Sequence, residues 1–237
     1  MANPYFKFKQ FTIYHDKCAM KVGIDAVLLG SWSSVENCKT ILDIGTGTGI
    51  ISLMIAQRST ASIDAIEIDY NAVIQAKENV SASPWHDRIS VSHISLQEFT
   101  INNNKKYDLI VSNPPYFNNS TKTPDNLRTA ARHTDTLSHE ELIQNATSLL
   151  NSNGKICLIL PLDEGLECIK IATNNGLYNS KKVIVYPKTK AKAKRILLEF
   201  RLEKSPTIDS ELTIESEIRH QYTNEFSTLV KSFYLKL

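Results

Sequence analysis

Ile41-Leu42-Asp43-Ile44-Gly45-Thr46-Gly47-Thr48-Gly49-Ile50 is an apolar run that ends on an acid and passes directly into three alternate glycines. Glycine accepts the left-handed backbone of a tight turn and lets a ligand come close to the main chain. The spacing from Ile50 to Arg58 is helical, and a helix start presents unpaired N–H groups. Strand, glycine turn and helix in that order make a seat for a polar ligand at the carboxyl end of a sheet. The same alternation runs outward from this unit. Further β-type runs cover Ser62 to Ile68, Ile89 to Ser92, Tyr107 to Ser112, Lys155 to Leu160, Lys181 to Tyr186 and Arg195 to Leu202, and the quoted run itself begins at Thr40. Helical spacing lies between them at Asn71 to Ser81 and His139 to Leu150. This alternation predicts an α/β fold with a seven-stranded, mostly parallel sheet and helices on both faces. Only Pro187 to Lys194 separates the last two runs, too short for a crossover helix, so they are expected to close the sheet as an antiparallel hairpin.

The bulk properties set limits without naming a chemistry. A chain of 237 residues with 42% hydrophobic and 22% charged residues has the composition of a soluble globular protein. One domain over 1–237 is expected: an N-terminal extension at 1–39, a core at 40–202 and a C-terminal extension at 203–237 packed on it. Phe6 to Ile13 alternates apolar and polar residues, Asp25 to Trp32 has helical spacing, and Phe226, Leu229, Val230 and Phe233 form a second helical stripe behind Thr223 or Asn224 as cap. No long apolar stretch and no basic-then-apolar leader is present, which makes the cytoplasm the expected location and excludes a membrane role. Cys18, Cys38, Cys157 and Cys168 form no Cys-x-x-Cys pair and read as reduced structural thiols. No histidine pair has metal-ligand spacing, so no metal is expected. A net charge of +2 leaves any nucleic-acid contact to local clusters.

The glycine turn carries the first functional reading. A dinucleotide fingerprint G-x-G-x-x-G needs Gly or Ala at position 50, and Ile50 breaks it. D-x-G-x-G-x-G resembles instead the first motif of the class I methyltransferases, which implies S-adenosylmethionine as cofactor and S-adenosylhomocysteine as product. Asp43, Gly45, Thr46, Gly47 and Gly49 are then cofactor residues. A nucleoside ribose needs a carboxylate at the tip of the next strand, and Glu67, 20 positions after Gly47, fits that place with Ile68 beside it. Glu67 and Asp69 as caps of the following helix is the competing reading. Methyltransferases of this class usually place an Asp after the third strand to contact the cofactor adenine; here Ser95, or a backbone group, has to substitute.

The fourth core run ends in Asn113-Pro114-Pro115-Tyr116. Methylating an amino group conjugated to an aromatic ring requires its lone pair to face the sulfonium methyl. The Asn113 amide oxygen and the Pro114 carbonyl can accept the two amino hydrogens and stabilise the positive charge that develops. Pro114 and Pro115 hold the backbone so that both oxygens converge, and Tyr116 offers a face for a planar base. Without the glycine motif upstream, the tetrapeptide is equally a proline-stopped turn.

The flanks narrow the resemblance. Phe8-Lys9-Gln10-Phe11-Thr12-Ile13 and Lys17 to Trp32, with Ser83-Pro84-Trp85, the Asn113 to Phe117 block, Arg195 to Phe200 and Tyr222 to Phe226, closely resemble the bacterial valine-tRNA adenine-N6 methyltransferases. The resemblance spans nearly the whole chain and implies methylation of the adenine 3′-adjacent to the anticodon, with tRNA as partner; a monomer is the favoured state, with the oligomeric state left open. It also implies that Lys21, Gly23 and Asp25 help close the cofactor pocket; Ile24 departs from the family's usual Thr, and Lys21 with Asp25 as a surface pair is the plainer alternative. Tyr116, Phe117, Arg128 and Arg132 are the candidates for holding the target nucleotide. Lys188, Lys190, Lys192 and Lys194 recur every second residue, which in an extended hairpin directs them to one side as a phosphate-tracking strip or a solvated edge. An rRNA guanine-N2 or DNA adenine methyltransferase, or a cofactor-binding RNA chaperone without turnover, are the alternatives.

Overall fold

The computed structural model describes residues 3–18, 21–115, 137–218 and 221–236. The elements in order are β1 (Tyr5–Lys7), β2 (Thr12–Tyr14), α1 (Ile24–Trp32), β3 (Thr40–Ile44), α2 (Ile50–Arg58), β4 (Ser62–Glu67), α3 (Tyr70–Ser81), β5 (Ile89–His93) and α4 (Leu96–Asn102). They continue with β6 (Tyr107–Ser112), α5 (His139–Leu149), β7 (Leu150–Pro161), α6 (Leu162–Asn174), β8 (Tyr178–Lys188), β9 (Arg195–Arg201), β10 (Ile208–Glu215) and α7 (Asn224–Val230). β1 and β2 form a small antiparallel sheet, and the other strands make one sheet in the order β10-β8-β9-β7-β6-β3-β4-β5. Strands β5, β4, β3, β6 and β7 run parallel, while β9 is antiparallel to both β7 and β8. The expected seven strands and terminal hairpin are therefore present, with an eighth strand, β10, added parallel to β8 at the edge.

Alternation along the strands sorts the core into two layers. Ile41, Leu109, Cys157 and Ile159 face a cluster with Val27 and Leu28 of α1, Leu53 and Met54 of α2 and Phe226 of α7. Leu42, Ile44, Ile110, Ile156 and Leu158 face Leu96 of α4, Leu142 and Ile143 of α5 and Cys168 of α6. Two apolar faces on one sheet are the signature of strands covered on both sides. Both chain ends join the first cluster: Phe8, Phe11 and Ile13 pack there with Val230 and Phe233. The alternating run 6–13 is split by a turn closed by Phe8 N–H donating to Phe11 O at 2.9 Å, so it builds a hairpin that turns Phe8 and Phe11 inward.

Local chemistry fixes the helix starts. Asp69 caps α3 by accepting from Ala72 N at 2.7 Å, and Thr223 caps α7 through Phe226 N. Ser95 and Ser138 each form a reciprocal capping box, with Glu98 and Glu141. Asp108 accepts from Lys39 N and Thr40 N, tying the start of β6 to that of β3.

Candidate active site

The parallel register of β3 and β6 places Ile44 opposite Ser112, and the Ser112 hydroxyl donates to Ile44 O at 2.9 Å. Gly45 and Asn113 are the next residues outward on strands spaced about 4.8 Å apart. The glycine turn and the Asn-Pro-Pro segment therefore leave the carboxyl edge of the sheet side by side. Asn113 is half-buried, Pro114 is buried and Pro115 is exposed. Tyr116, Phe117, Arg128 and Arg132 lie outside the described residues.

The turn itself is held from three sides. Gly45, Gly47 and Gly49 have φ of 70°, 56° and 82°, all in the region that side chains disfavour. Ile66 O accepts from both Gly45 N and Thr46 N, and Gly49 N donates to Thr46 O at 2.9 Å. A Cβ built on Gly45 or Gly47 would meet nothing within 4 Å among the described residues, so those residues leave the outer surface of the turn open. Under it, Asp43 is fully buried; its Oδ2 accepts from Thr46 Oγ1 at 2.6 Å and from Ser52 Oγ at 2.7 Å. Asp43 Oδ1 is buried with no hydrogen-bond partner among the described residues. Burial pushes the Asp43 carboxyl up to about 6, against the lowering effect of the Thr46 and Ser52 hydroxyls.

Glu67 ends β4 beside the turn. Its Oε2 accepts from Gly47 N at 2.9 Å, and its Oε1 accepts from Ile68 N and Asp69 N at 2.8 and 3.0 Å. A carboxylate offers about four acceptor positions, so Oε2 retains one for an incoming hydroxyl. Asp69 is the helix cap and Glu67 is not, which separates the two acids that the sequence left competing. Ile68 is 54% exposed at the same edge. The Ser95 hydroxyl is engaged in its capping box, donating to Glu98 Oε2 at 2.8 Å and accepting from Glu98 N.

Gly23 is the N-cap of α1, and Lys21 is exposed. Asp25 pairs with Arg195 Nε at 2.9 Å, joining α1 to the loop end of the β8–β9 hairpin instead of forming a surface pair with Lys21. The lysine strip is not one extended edge. β8 ends at Lys188, Lys190 sits in a turn at φ 62°, and Lys192 and Lys194 follow in irregular backbone, so period-two alternation does not carry across the tip. Lys190 also pairs with Glu217 at 2.6 Å, and Lys182 with Asp209 of β10 at 3.2 Å. The tip still projects from the carboxyl edge, because Pro161 at the end of β7 lies opposite Arg195.

Sequence reasoning passed over Ser52, Arg195 as the partner of Asp25, and Asn79 of α3. Asn79 is 1% exposed; its signal is an amide four residues after Gln75, inside a stripe of Ala72, Ala76 and Val80. Among the described residues, no group of three or more His, Cys, Asp or Glu is arranged to hold a metal ion, and no helix is long and apolar enough to cross a membrane.

A sheet in this order, with a glycine turn after one strand and an acid at the tip of the next, defines a Rossmann-like class I methyltransferase. The family described as methyltransferase small domain matches residues 22–169. The chain is 52% identical over its full length, and that of the relative, to a tRNA1(Val) (adenine(37)-N6)-methyltransferase of Parabacteroides distasonis. It is 49% identical, again over both full lengths, to the enzyme of the same name from Trichodesmium erythraeum. A solved structure of a predicted O-methyltransferase from Agrobacterium tumefaciens superimposes with a TM-score of 0.66 over 88% of this chain and 96% of that one, at 20% identity, and so shares the fold. This chain belongs to the methyltransferase small domain family and, within it, to the family of the tRNA1(Val) (adenine(37)-N6)-methyltransferases.

Proposed function

We propose that the chain transfers the methyl group of S-adenosylmethionine to the N6 amino nitrogen of adenine 37 in a valine tRNA, its full length working as one methyltransferase domain. The observation that carries this reading is the Ile44–Ser112 register, which sets Asn113 beside Gly45. The relatives' names supply the target, and the burial of both chain ends in the core cluster supports the single domain.

The residues present fit this cofactor. Among the described residues the turn at Gly45 and Gly47 is open above, Glu67 Oε2 keeps an acceptor position for a ribose hydroxyl, and Asp43 Oδ1, without a hydrogen-bond partner, is a buried acceptor suited to a cationic or hydrogen-bonding donor such as an amino acid's ammonium. Gly45, Thr46, Gly47, Gly49, Glu67 and Ile68 would hold the nucleoside side, with Lys21, Gly23 and Asp25 on the other side. The Ser95 hydroxyl is engaged in its cap, so a contact from that position to the adenine falls to backbone or to the hydroxyl's remaining lone pair. S-adenosylmethionine supplies an electrophilic methyl on a sulfonium.

The chain's own task is to present the amine. Asn113 Oδ1 and Pro114 O accept its two hydrogens, turn the lone pair outward and stabilise the charge that grows on nitrogen. The amine attacks while neutral and releases a proton afterwards, so no general base has to act first. Tyr116 and Phe117 would stack the base, and Arg128, Arg132, Lys188, Lys190, Lys192 and Lys194 would take phosphates of the RNA around a nucleotide turned out of its stack.

Nucleoside mass spectrometry of tRNA from cells lacking the protein tests the proposal. Loss of N6-methyladenosine from a valine tRNA, restored in vitro by the purified chain and S-adenosylmethionine, is the expected result. An unchanged modification profile, with no transfer to a purified valine tRNA, overturns it.

A further inference from the structure

We infer that Asn79 of α3 is a positioning residue for the methyl donor, acting through the Thr48–Gly49 peptide of the glycine turn; the inference rests on donor binding at that turn. Asn79 Nδ2 donates to Thr48 O at 2.9 Å and to Tyr14 O at 2.9 Å, and its Oδ1 accepts from Tyr14 N at 2.9 Å. One buried amide thus grips both polar atoms of Tyr14, as a neighbouring strand would, and at the same time one carbonyl of the turn.

That carbonyl matters because of its peptide plane. In a trans peptide the Thr48 C=O and the Gly49 N–H point in opposite directions, and Gly49 N–H points at Thr46 O. Fixing Thr48 O on α3 therefore fixes both faces of the last peptide before α2, whose open N–H groups begin at Ile50. The rest of the turn is held by Ile66 O and Glu67, and Asn79 adds a hold on its far end beside the Gly49 N–H to Thr46 O bond. Ala76, on the same face of α3, lies 3.6 Å from where a Gly49 Cβ would stand, so α3 is already packed against this peptide. The turn's three left-handed glycines have little intrinsic preference for this shape, and without the amide the Thr48–Gly49 peptide keeps the Gly49 N–H to Thr46 O bond but loses the tie of its carbonyl to α3.

Gln75 provides the control. It is equally buried on the same helix and accepts from Lys17 N at 3.1 Å, so it fastens the N-terminal segment without touching the turn. Asn79→Ala and Gln75→Ala should both lower the melting temperature. Only Asn79→Ala should raise the Kd for S-adenosylhomocysteine and the KM for S-adenosylmethionine, by about tenfold, as expected for losing a buried hydrogen bond. The kcat for tRNA at saturating donor should stay near that of the natural chain. Asn79→Asp keeps the volume but turns an acceptor toward the Thr48 and Tyr14 carbonyls, and should raise Kd in the same way if Asn79→Ala does not fold. Equal Kd shifts in the Gln75 and Asn79 variants, or none in either Asn79 variant, overturn the inference. Failure of the natural chain to bind the donor overturns the underlying reading instead.

Discussion

Glu67 Oε2 accepts the backbone amide of Gly47 at 2.9 Å, so the acid at the tip of β4 and the middle glycine of the turn after β3 form one unit. Twenty residues of sequence separate them, and the parallel register that pairs Ile44 with Ile66 brings them together. The carboxylate holds the turn in shape and, in the function proposed above, would also accept from a ribose hydroxyl.

Glu67→Gln should weaken both functions. An amide can accept from one side only, and its NH2 would face the N–H of Gly47 or those of Ile68 and Asp69. Loss of a charge-assisted bond of about 1.5–3 kcal/mol predicts a rise in donor Kd of roughly ten- to a hundredfold. Titration calorimetry with S-adenosylhomocysteine reads it; an unchanged Kd would mean that the turn keeps its shape without the acid.

Asp43 makes stability depend on pH in an unusual direction for a carboxylate. Its ordinary value is 3.8, and burial pushes it up to about 6. Between these values the folded chain binds more protons than the unfolded one, so this group's contribution to stability falls as pH rises from about 4 to about 6 and then levels off. The difference corresponds to about 3 kcal/mol. Asn at this position can still accept from Thr46 and Ser52 through its oxygen and carries no charge. Denaturant unfolding of Asp43→Asn from pH 4 to pH 8 should lack the decline expected of the natural chain, while donor affinity falls; a parallel decline in both proteins would place the titration elsewhere.

Asn113→Ala should keep donor affinity and lose roughly 10²-fold or more in kcat, by analogy with removing one preorganised hydrogen-bonding group. Single-turnover methyl transfer to tRNA separates the two quantities. Turnover like that of the natural chain would remove the two-acceptor mechanism.

The hairpin tip can be tested through salt. Lys190 has Glu217 as a partner, whereas Lys192 and Lys194 are exposed in irregular backbone. If the latter two meet phosphates, Lys192→Ala and Lys194→Ala should each reduce the slope of log K against log salt by about 0.7–0.9, and Glu217→Gln should strengthen tRNA binding. Filter-binding titrations over a range of salt that give identical slopes would leave these lysines as a solvated edge.

Packing behind the site is intolerant at Gly165. A Cβ there would stand 2.0 Å from Ile196 Cγ2, in the layer where α6 covers β9. Gly165→Ala should destabilise by about 1–3 kcal/mol, seen as a fall in calorimetric melting temperature of several degrees, with cofactor affinity retained in the cold. A melting temperature equal to that of the natural chain would show that the helix can shift without cost.

The sequence alone determined the order of strand, turn and helix, the hairpin, the glycine turn with Glu67 at the tip of the next strand, and the place of Asn113 and Pro114 at the end of β6, because each depends on periods and side-chain fits that span a few residues. It also suggested Thr223 or Asn224 as a cap, since a small polar side chain ahead of an apolar stripe acts locally, and Thr223 is the one that caps α7. Tertiary structure decided what joins distant segments. β10 escaped the reading because half of Ile208–Glu215 is exposed and it carries no apolar run; parallel pairing with β8, with Asp209 set against Lys182, fixes it. The lysine period promised a single strip, and the left-handed turn at Lys190 with the acids brought by the C-terminal segment broke it up. Asn79 meets Tyr14 and Arg195 meets Asp25 across 65 and 170 residues. Such contacts follow from the register and layering of the whole sheet, which no local pattern encodes.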